Sequence, residues 1–187
     1  MKKNCFIAGN PYQEFTWNYK SEQELFKEYI EEIKKIARFL LIKGYNYFVF
    51  SDNENSSLDL MDAIFELQEE FSFQTEICVF HNKIENERIL SFCKKAHVIS
   101  DFSRIPSIFH FLKWKSYAKK NADLLFSVWN GKKNNQTFRV LRMFEKTNRN
   151  SIFFATDLLS PYYKEIEQKI RNSFGLSDIK PRNEWDL

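Results

Sequence analysis

The sequence predicts an α/β fold built on a mostly parallel sheet of about six strands, and three observations support this. Short apolar runs alternate with longer amphipathic stretches along the 187 residues, as in strand–helix–strand units. The apolar runs carry few polar residues, which is typical of strands buried on both faces. Four glycines and four prolines stand against 20 phenylalanines, which disfavours a turn-dense or disordered chain. We therefore expect helices on both faces of the sheet.

Three strands and three helices are predicted in the first half of the chain. The strands are CFIAG (residues 5–9), YNYFVFS (residues 45–51) and EICVF (residues 76–80). The first helix starts near Ser21, which pairs with Glu24 in a capping box, and Gly44 ends it. The second and third helices are expected over residues 58–71 and 86–95.

The second half of the chain continues the same alternation. Its strands are HVISD (residues 97–101), DLLFSVW (residues 123–129) and SIFFAT (residues 151–156). Helices are expected from Ser107 onward and over residues 136–146. A terminal helix is expected from Pro161 to about Phe174, because proline suits the first turn of a helix.

Composition indicates one domain and argues against two classes of partner. A chain with 43% hydrophobic residues can bury one sizeable core, so we expect a single domain over residues 1–175 and a loosely attached tail at 176–187. The net charge of +3 comes from 28 basic and 25 acidic residues, which does not indicate a nucleic-acid binder. The first apolar run is three residues long, too short for a signal peptide or a membrane span. We expect a soluble, cytoplasmic protein with no membrane partner.

The three cysteines, Cys5, Cys78 and Cys93, form no CxxC pair and lie in apolar or helical contexts. They are predicted to be buried free thiols rather than a metal site or a disulfide. No metal and no cofactor is predicted.

The loops after the strands are the candidate binding segments, because ligands of parallel sheets bind beyond the carboxyl ends of the strands. Gly9 ends the first predicted strand and Asn10 follows it. A glycine there permits either a plain turn or close approach to a ligand. Glu14, five residues further on, can accept hydrogen bonds from a ribose or can simply be exposed to solvent.

The loop after the second strand is polar but contains no glycine. Its candidate ligand-binding residues are Ser51, Asn53, Asn55 and Ser57. Such side chains suit turns and helix caps, while a helix N-terminus also attracts anions. Asp52, Glu54 and Asp59 add negative charge there, so the loop is a poor phosphate site and a better site for hydroxyl groups.

The loop after the fifth strand is the better candidate for an anion. Its candidate residues are Trp129, Asn130, Gly131, Lys132, Asn134 and Thr137. Amides, a hydroxyl and lysines beside a helix N-terminus can together hold a phosphate. A solvated turn with scattered charge is the alternative.

Familiar catalytic motifs do not occur in the sequence. It contains no GxSxG, Walker lysine loop, HExxH or GxGxxG. His81 is the only histidine at the carboxyl end of a predicted strand, and the sequence shows no partner for it. His110 lies among apolar residues and is interpreted as a core or boundary residue.

The order of these elements resembles the YpsA-like branch of the SLOG superfamily, which includes the LOG phosphoribohydrolases and the DprA DNA-processing proteins. The resemblance covers roughly residues 5–157 and depends on Gly9, Glu14 and Ser51. It also depends on the segments AIFELQEEF (residues 63–71) and ADLLFSVWNGK (residues 122–132). It implies a Rossmann-like three-layer sandwich, a nucleotide-derived ligand and, by analogy, a homo-oligomer.

The sequence departs from this family at the positions that matter for catalysis. The glycines of the family's loop after strand two fall on Asp52, Asn53 and Asn55, and its acidic position falls on Ser57. Side chains at close-approach positions restrict the backbone and close a phosphate loop. The LOG catalytic glutamate has no equivalent, since position 140 is Val140. The resemblance therefore supports the fold more than the enzymatic activity.

These observations predict a non-catalytic module that binds a nucleotide-derived ligand or a partner protein at the carboxyl edge of the sheet. One alternative is a nucleotide N-glycoside hydrolase or transferase in which Glu14 or Asp62 steers the ribose, since its transition state needs a nearby carboxylate. Asp62 matches an acidic residue of the family's second helix. Another alternative is a structural adaptor that uses its aromatic-rich surface.

Overall fold

The α/β fold is confirmed by a computed structural model, which describes residues 3–10, 22–52, 58–81, 86–129, 134–145 and 151–155. One sheet of six parallel strands is flanked by helices. The strands are β1 (Asn4–Gly9), β2 (Tyr47–Ser51), β3 (Gln74–Val79), β4 (Val98–Asp101), β5 (Leu124–Val128) and β6 (Ser151–Ala155). The helices are α1 (Glu22–Ile42), α2 (Leu58–Glu66), α3 (Glu87–Lys95), α4 (His110–Asn121) and α5 (Gln136–Glu145).

The strand order is β4-β3-β2-β1-β5-β6. The chain moves outward in one direction from β1 to β4, and then returns to place β5 on the other side of β1. The strand order therefore reverses between β1 and β5, whose register pairs Gly9 with Val128 at the carboxyl end. In sheets of this kind the reversal opens a crevice between the loops that follow the two strands.

Two hydrophobic clusters fill the space between the sheet and its helices. The first buries Ile33 of α1, Ile64 of α2 and Phe92 of α3 against one face of the sheet. The second buries Trp114 of α4 and Val140 of α5 against the other face. Among the described residues, three helices on one face and two on the other give the three layers of a Rossmann-like sandwich. Right-handed crossovers explain this division.

The predicted element order agrees with the structure, while several boundaries differ. Gly44 ends α1 at φ 87° as predicted, and its N–H donates to the carbonyl oxygen of Leu41 at 2.9 Å. The second helix ends at Glu66 and continues as a 3-10 turn over Leu67–Glu69 rather than reaching Phe71. The helix predicted from Ser107 begins with a 3-10 turn at Ser107–Phe109.

The expectation that every strand is covered on both faces is wrong for β4. Val98 and Ile99 are 40% and 52% exposed, because β4 is the last strand on its side of the sheet. The tail at 176–187 and the helix predicted from Pro161 lie outside the described residues. None of the described helices is long and apolar enough to cross a bilayer.

Candidate functional site

Asn10 connects four elements at the point where the strand order reverses. It follows β1, is 4% exposed, and donates its N–H to the carbonyl oxygen of Val128 at 2.9 Å. Its own carbonyl oxygen accepts from the hydroxyl of Tyr29 in α1 at 3.3 Å. Its side-chain oxygen accepts from Nδ2 of Asn135, just before α5, at 3.4 Å. The side chain of Asn10 therefore faces the α5 side of the sheet.

The first turn of α5 brings polar and aromatic side chains to the same place. Asn135 caps the helix, since its Oδ1 accepts from the N–H of Phe138 at 2.8 Å. Thr137 is buried and Asn134 is exposed. The rings of Trp129 and Phe138 stack with centroids 5.3 Å apart. The loop predicted as an anion site thus contributes amides, a hydroxyl and an indole next to a helix N-terminus.

Ser51 ends β2, the neighbour of β1, and is 1% exposed. Side chains alternate along a strand, and Tyr47 and Val49 belong to the α4/α5 cluster, so Ser51 points to that face as well. Five predicted residues therefore lie on the α4/α5 side of the carboxyl edge: Asn10, Ser51, Trp129, Asn134 and Thr137. Seven more predicted residues lie outside the described residues: Glu14, Asn53, Asn55, Ser57, Asn130, Gly131 and Lys132.

Gly9 makes room for a side chain of α2. A Cβ at this position would lie 2.1 Å from Cδ1 of Leu60 and 3.4 Å from the carbonyl oxygen of Val128. Leu60 is fully buried. The close approach that the sequence suggested is therefore made by α2, on the sheet face opposite α5.

Asp62 forms an ion pair across two helices. Its Oδ2 contacts the guanidinium of Arg88 in α3, which also lies 3.4 Å from Oδ1 of Asp59. Both carboxylates belong to α2, which packs on the sheet face opposite α5. The carboxylate proposed to steer a ribose is thus engaged by Arg88 and separated from Asn10 by the sheet.

The side chain of Asp52 points toward the end of β3. Its side chain is 1% exposed. Oδ1 accepts from the N–H of Phe80 at 2.9 Å, and Oδ2 accepts from the N–H of His81 at 3.2 Å. Oδ2 also lies 3.1 Å from Nδ1 of the His81 ring. Asp52 therefore ties the carboxyl ends of β2 and β3 together and orients His81.

His81 has the partner that the sequence did not reveal, since Asp52 is 29 residues earlier. Half of the His81 side chain is exposed. The ring of His110 stands at a right angle to it with centroids 5.7 Å apart. Nε2 of His110 lies 2.7 Å from the carbonyl oxygen of Ile105. His110 is partly buried, as the boundary interpretation predicts.

The carboxylate of Glu76, within β3, is the centre of a hydrogen-bond network that the sequence analysis did not predict. Glu76 of β3 is 4% exposed and accepts hydrogen bonds from Tyr47, Ser100 and Tyr117 at 2.6–2.8 Å. Burial, together with the hydrogen bond to Glu76, raises the pKa of Tyr47 and Tyr117 above the usual range of phenols. Both phenols therefore stay protonated and keep donating. The only sequence signal was a charged residue within an apolar strand.

An open cavity of about 530 Å³ lies at the opposite, amino edge of the sheet, where Glu69, Glu70, Lys95 and His97 line it. Nδ1 of His97 lies 3.2 Å from the N–H of Thr75. An N–H only donates, so Nδ1 of His97 accepts. The cavity is distant from the strand reversal, and the carboxyl edge remains the better candidate because the buried polar side chains converge there.

The cysteines agree in part with the prediction. Cys5 and Cys78 are buried free thiols, and burial raises the pKa of both. Cys93 is only partly buried. Within the described ranges, no group of three or more His, Cys, Asp or Glu residues is placed to hold a metal ion.

Comparisons of this chain with protein-family models and with curated proteins find no match.

Proposed function

We propose that this chain is a non-catalytic binding module that holds a nucleotide-derived ligand in the crevice between β1 and β5. The observation that carries the proposal is the convergence of Asn10, Asn135 and Trp129 where the strand order reverses. Concave sites with a few convergent polar groups at such a reversal are the usual ligand sites of open parallel sheets. The resemblance to SLOG proteins supports the nucleotide class of ligand.

The chemistry of these side chains favours binding over catalysis. Amides and hydroxyls donate to and accept from base edges and sugar hydroxyls, and the first turn of α5 favours a negative group. Cleavage of an N-glycosidic bond instead requires a carboxylate beside the ribose. Asp62 is paired with Arg88 on the other face, so it does not support the hydrolase alternative.

We expect at least one compound in a panel of nucleotides and cyclic nucleotides to raise the melting temperature of the protein. Each compound is added together with a metal chelator. A ligand at one hundred times its Kd stabilises the native state by about 2.7 kcal/mol, or about 5–10 °C for a chain of this size. Differential scanning fluorimetry measures the shift. If no compound moves the melting temperature at millimolar concentration, the small-molecule proposal is wrong.

Asn134→Ala is the variant that locates the ligand, because Asn134 is exposed at the start of α5. It is expected to reduce the ligand-induced shift while leaving the melting temperature of the free protein unchanged. Asn46→Ala is the matched control, an exposed asparagine at the amino end of β2, and should keep the full shift. Release of free base from nucleoside monophosphates would favour the hydrolase alternative.

A second candidate function is self-association through the β4 edge, which fits the expectation of a homo-oligomer. Val98 and Ile99 of β4 are exposed large apolar residues. The elements before and after β4 in the chain carry four more: Leu90 on α3, Ile108 and Phe109 on the 3-10 turn, and Leu112 on α4. An edge strand also presents backbone groups that pair with another strand. A second copy of this chain supplies the same edge and the same apolar surface, so we propose it as the occupant.

Ile99→Lys is expected to convert an oligomer into a monomer in sedimentation velocity, because a charge at the edge opposes strand pairing. Ile42→Lys, at an apolar residue that is 58% exposed at the end of α1, is the matched control and should leave the assembly intact. A wild-type chain that sediments as a monomer at high concentration contradicts self-association.

A further inference from the structure

His81 and His110 lie together at the carboxyl edge, outside the crevice between β1 and β5. His81 follows β3, and His110 is the first residue of α4. Their rings are perpendicular with centroids 5.7 Å apart. The half-exposed ring of His81 leaves this pair open to solvent.

The hydrogen bonds of the two rings fix which nitrogen of each carries a proton. A carboxylate and a carbonyl oxygen only accept, so Nδ1 of His81 donates to Asp52 and Nε2 of His110 donates to Ile105. In the neutral imidazoles, Nε2 of His81 and Nδ1 of His110 then carry lone pairs. Histidines that bind metals usually have this arrangement, in which the second ring nitrogen donates to a carboxylate or a backbone carbonyl.

The separation of the rings suits one shared cation. Two imidazoles bound to a tetrahedral cation at metal–nitrogen distances of about 2.0–2.1 Å place their ring centres about 5 Å apart. The observed separation of 5.7 Å between the ring centroids is close to this value. The buried carboxylate of Asp52, in contact with His81, adds negative charge that favours a cation.

We propose that Nε2 of His81 and Nδ1 of His110 bind a first-row transition-metal dication. Imidazole nitrogen favours Zn²⁺, Cu²⁺ and Ni²⁺ over Mg²⁺ or Ca²⁺. With two protein ligands, water completes the coordination, so the site is open and exchangeable. This site is separate from the proposed nucleotide crevice, and either one can fail without the other.

His97 provides a matched control within the same chain. Its Nδ1 accepts from the N–H of Thr75, so its proton resides on Nε2 and it offers no lone pair to a cation. Binding through Nε2 of His97 would move the proton to Nδ1 and set two N–H groups against each other. His97 is also exposed at the opposite edge of the sheet.

Isothermal titration of the metal-free full chain with Zn²⁺ and Cu²⁺ tests the proposal. We expect one cation per chain in the wild type and at least a tenfold loss of affinity in His81→Ala and in His110→Ala. His97→Ala should keep the wild-type affinity. Asp52→Asn removes the negative charge beside His81 and leaves one acceptor oxygen for the three N–H groups that Asp52 binds. It should weaken binding by about 10- to 100-fold.

Histidine modification of the wild type gives a readout that does not depend on folded variants. Zn²⁺ should protect His81 and His110 from diethyl pyrocarbonate, as followed by peptide mass spectrometry. The reaction of His97, whose lone pair on Nδ1 is engaged by the N–H of Thr75, should be slow and should not change with the cation. Absence of binding would overturn the proposal. Equal affinity in all three histidine variants, or equal protection of the three histidines, would also overturn it and show adventitious binding only.

Discussion

Glu76→Ala is expected to lower the free energy of unfolding by about 3–5 kcal/mol, because it removes the shared acceptor of three hydroxyls. The donors are Tyr47 on β2, Ser100 on β4 and Tyr117 on α4. A fully buried hydroxyl left without an acceptor costs about 1–3 kcal/mol, and this applies to Tyr47, since Ser100 and Tyr117 are partly buried. The missing side chain adds a cavity. Urea unfolding followed by circular dichroism measures the loss.

A combined variant separates the network from a simple packing defect. In Glu76→Leu with Tyr47→Phe and Tyr117→Phe, the carboxylate and both phenolic hydroxyls are removed together. Replacing both partners of buried polar contacts by apolar groups of similar shape is often nearly neutral. We therefore expect this triple variant to be more stable than Glu76→Ala. A triple variant that is less stable than the single one contradicts the role assigned to the network.

The contacts of Glu76 could not be predicted from the sequence. Strand and helix order followed from local patterns, because a buried strand and an amphipathic helix each leave a periodic signal in the chain. The partners of Glu76 come from three elements and lie 24–41 residues away from it in the chain. No local pattern brings them together, so a glutamate within an apolar strand was visible while its environment was not.

For the candidate site too, the sequence predicted the location in the fold but not the contacts of the side chains. The carboxyl edge follows from a parallel sheet, and Asn10, Ser51 and Trp129 do lie there. The distribution of candidates between the two sheet faces depends on the strand order, which the sequence does not display. Asp52 was interpreted as a charge that opposes phosphate, whereas it binds the end of β3 and the ring of His81.

Gly9→Ala is expected to destabilise the protein by about 1–3 kcal/mol, the usual cost of adding a methyl group to a packed core. Its Cβ would lie 2.1 Å from Cδ1 of the fully buried Leu60, so α2 must shift or Leu60 must change its rotamer. Leu60→Ala alone is expected to cost about 2–5 kcal/mol through the cavity that it leaves. Urea unfolding of both variants measures these effects.

The double variant Gly9→Ala with Leu60→Ala tests whether a glycine is required at position 9 because of the side chain of Leu60. If Gly9 accommodates Leu60, the added methyl group partly fills the cavity, and the double variant is more stable than the sum of the single effects predicts. Contacting residues typically show coupling of about 0.5–3 kcal/mol. Additive losses would show that Leu60 is not the reason for glycine at this position.

Nucleotide binding by Gly9→Ala distinguishes helix packing from ligand approach. If a nucleotide found in the panel binds this variant with unchanged affinity, Gly9 serves helix packing and not ligand approach. The recognition surface then lies on the α5 side of β1.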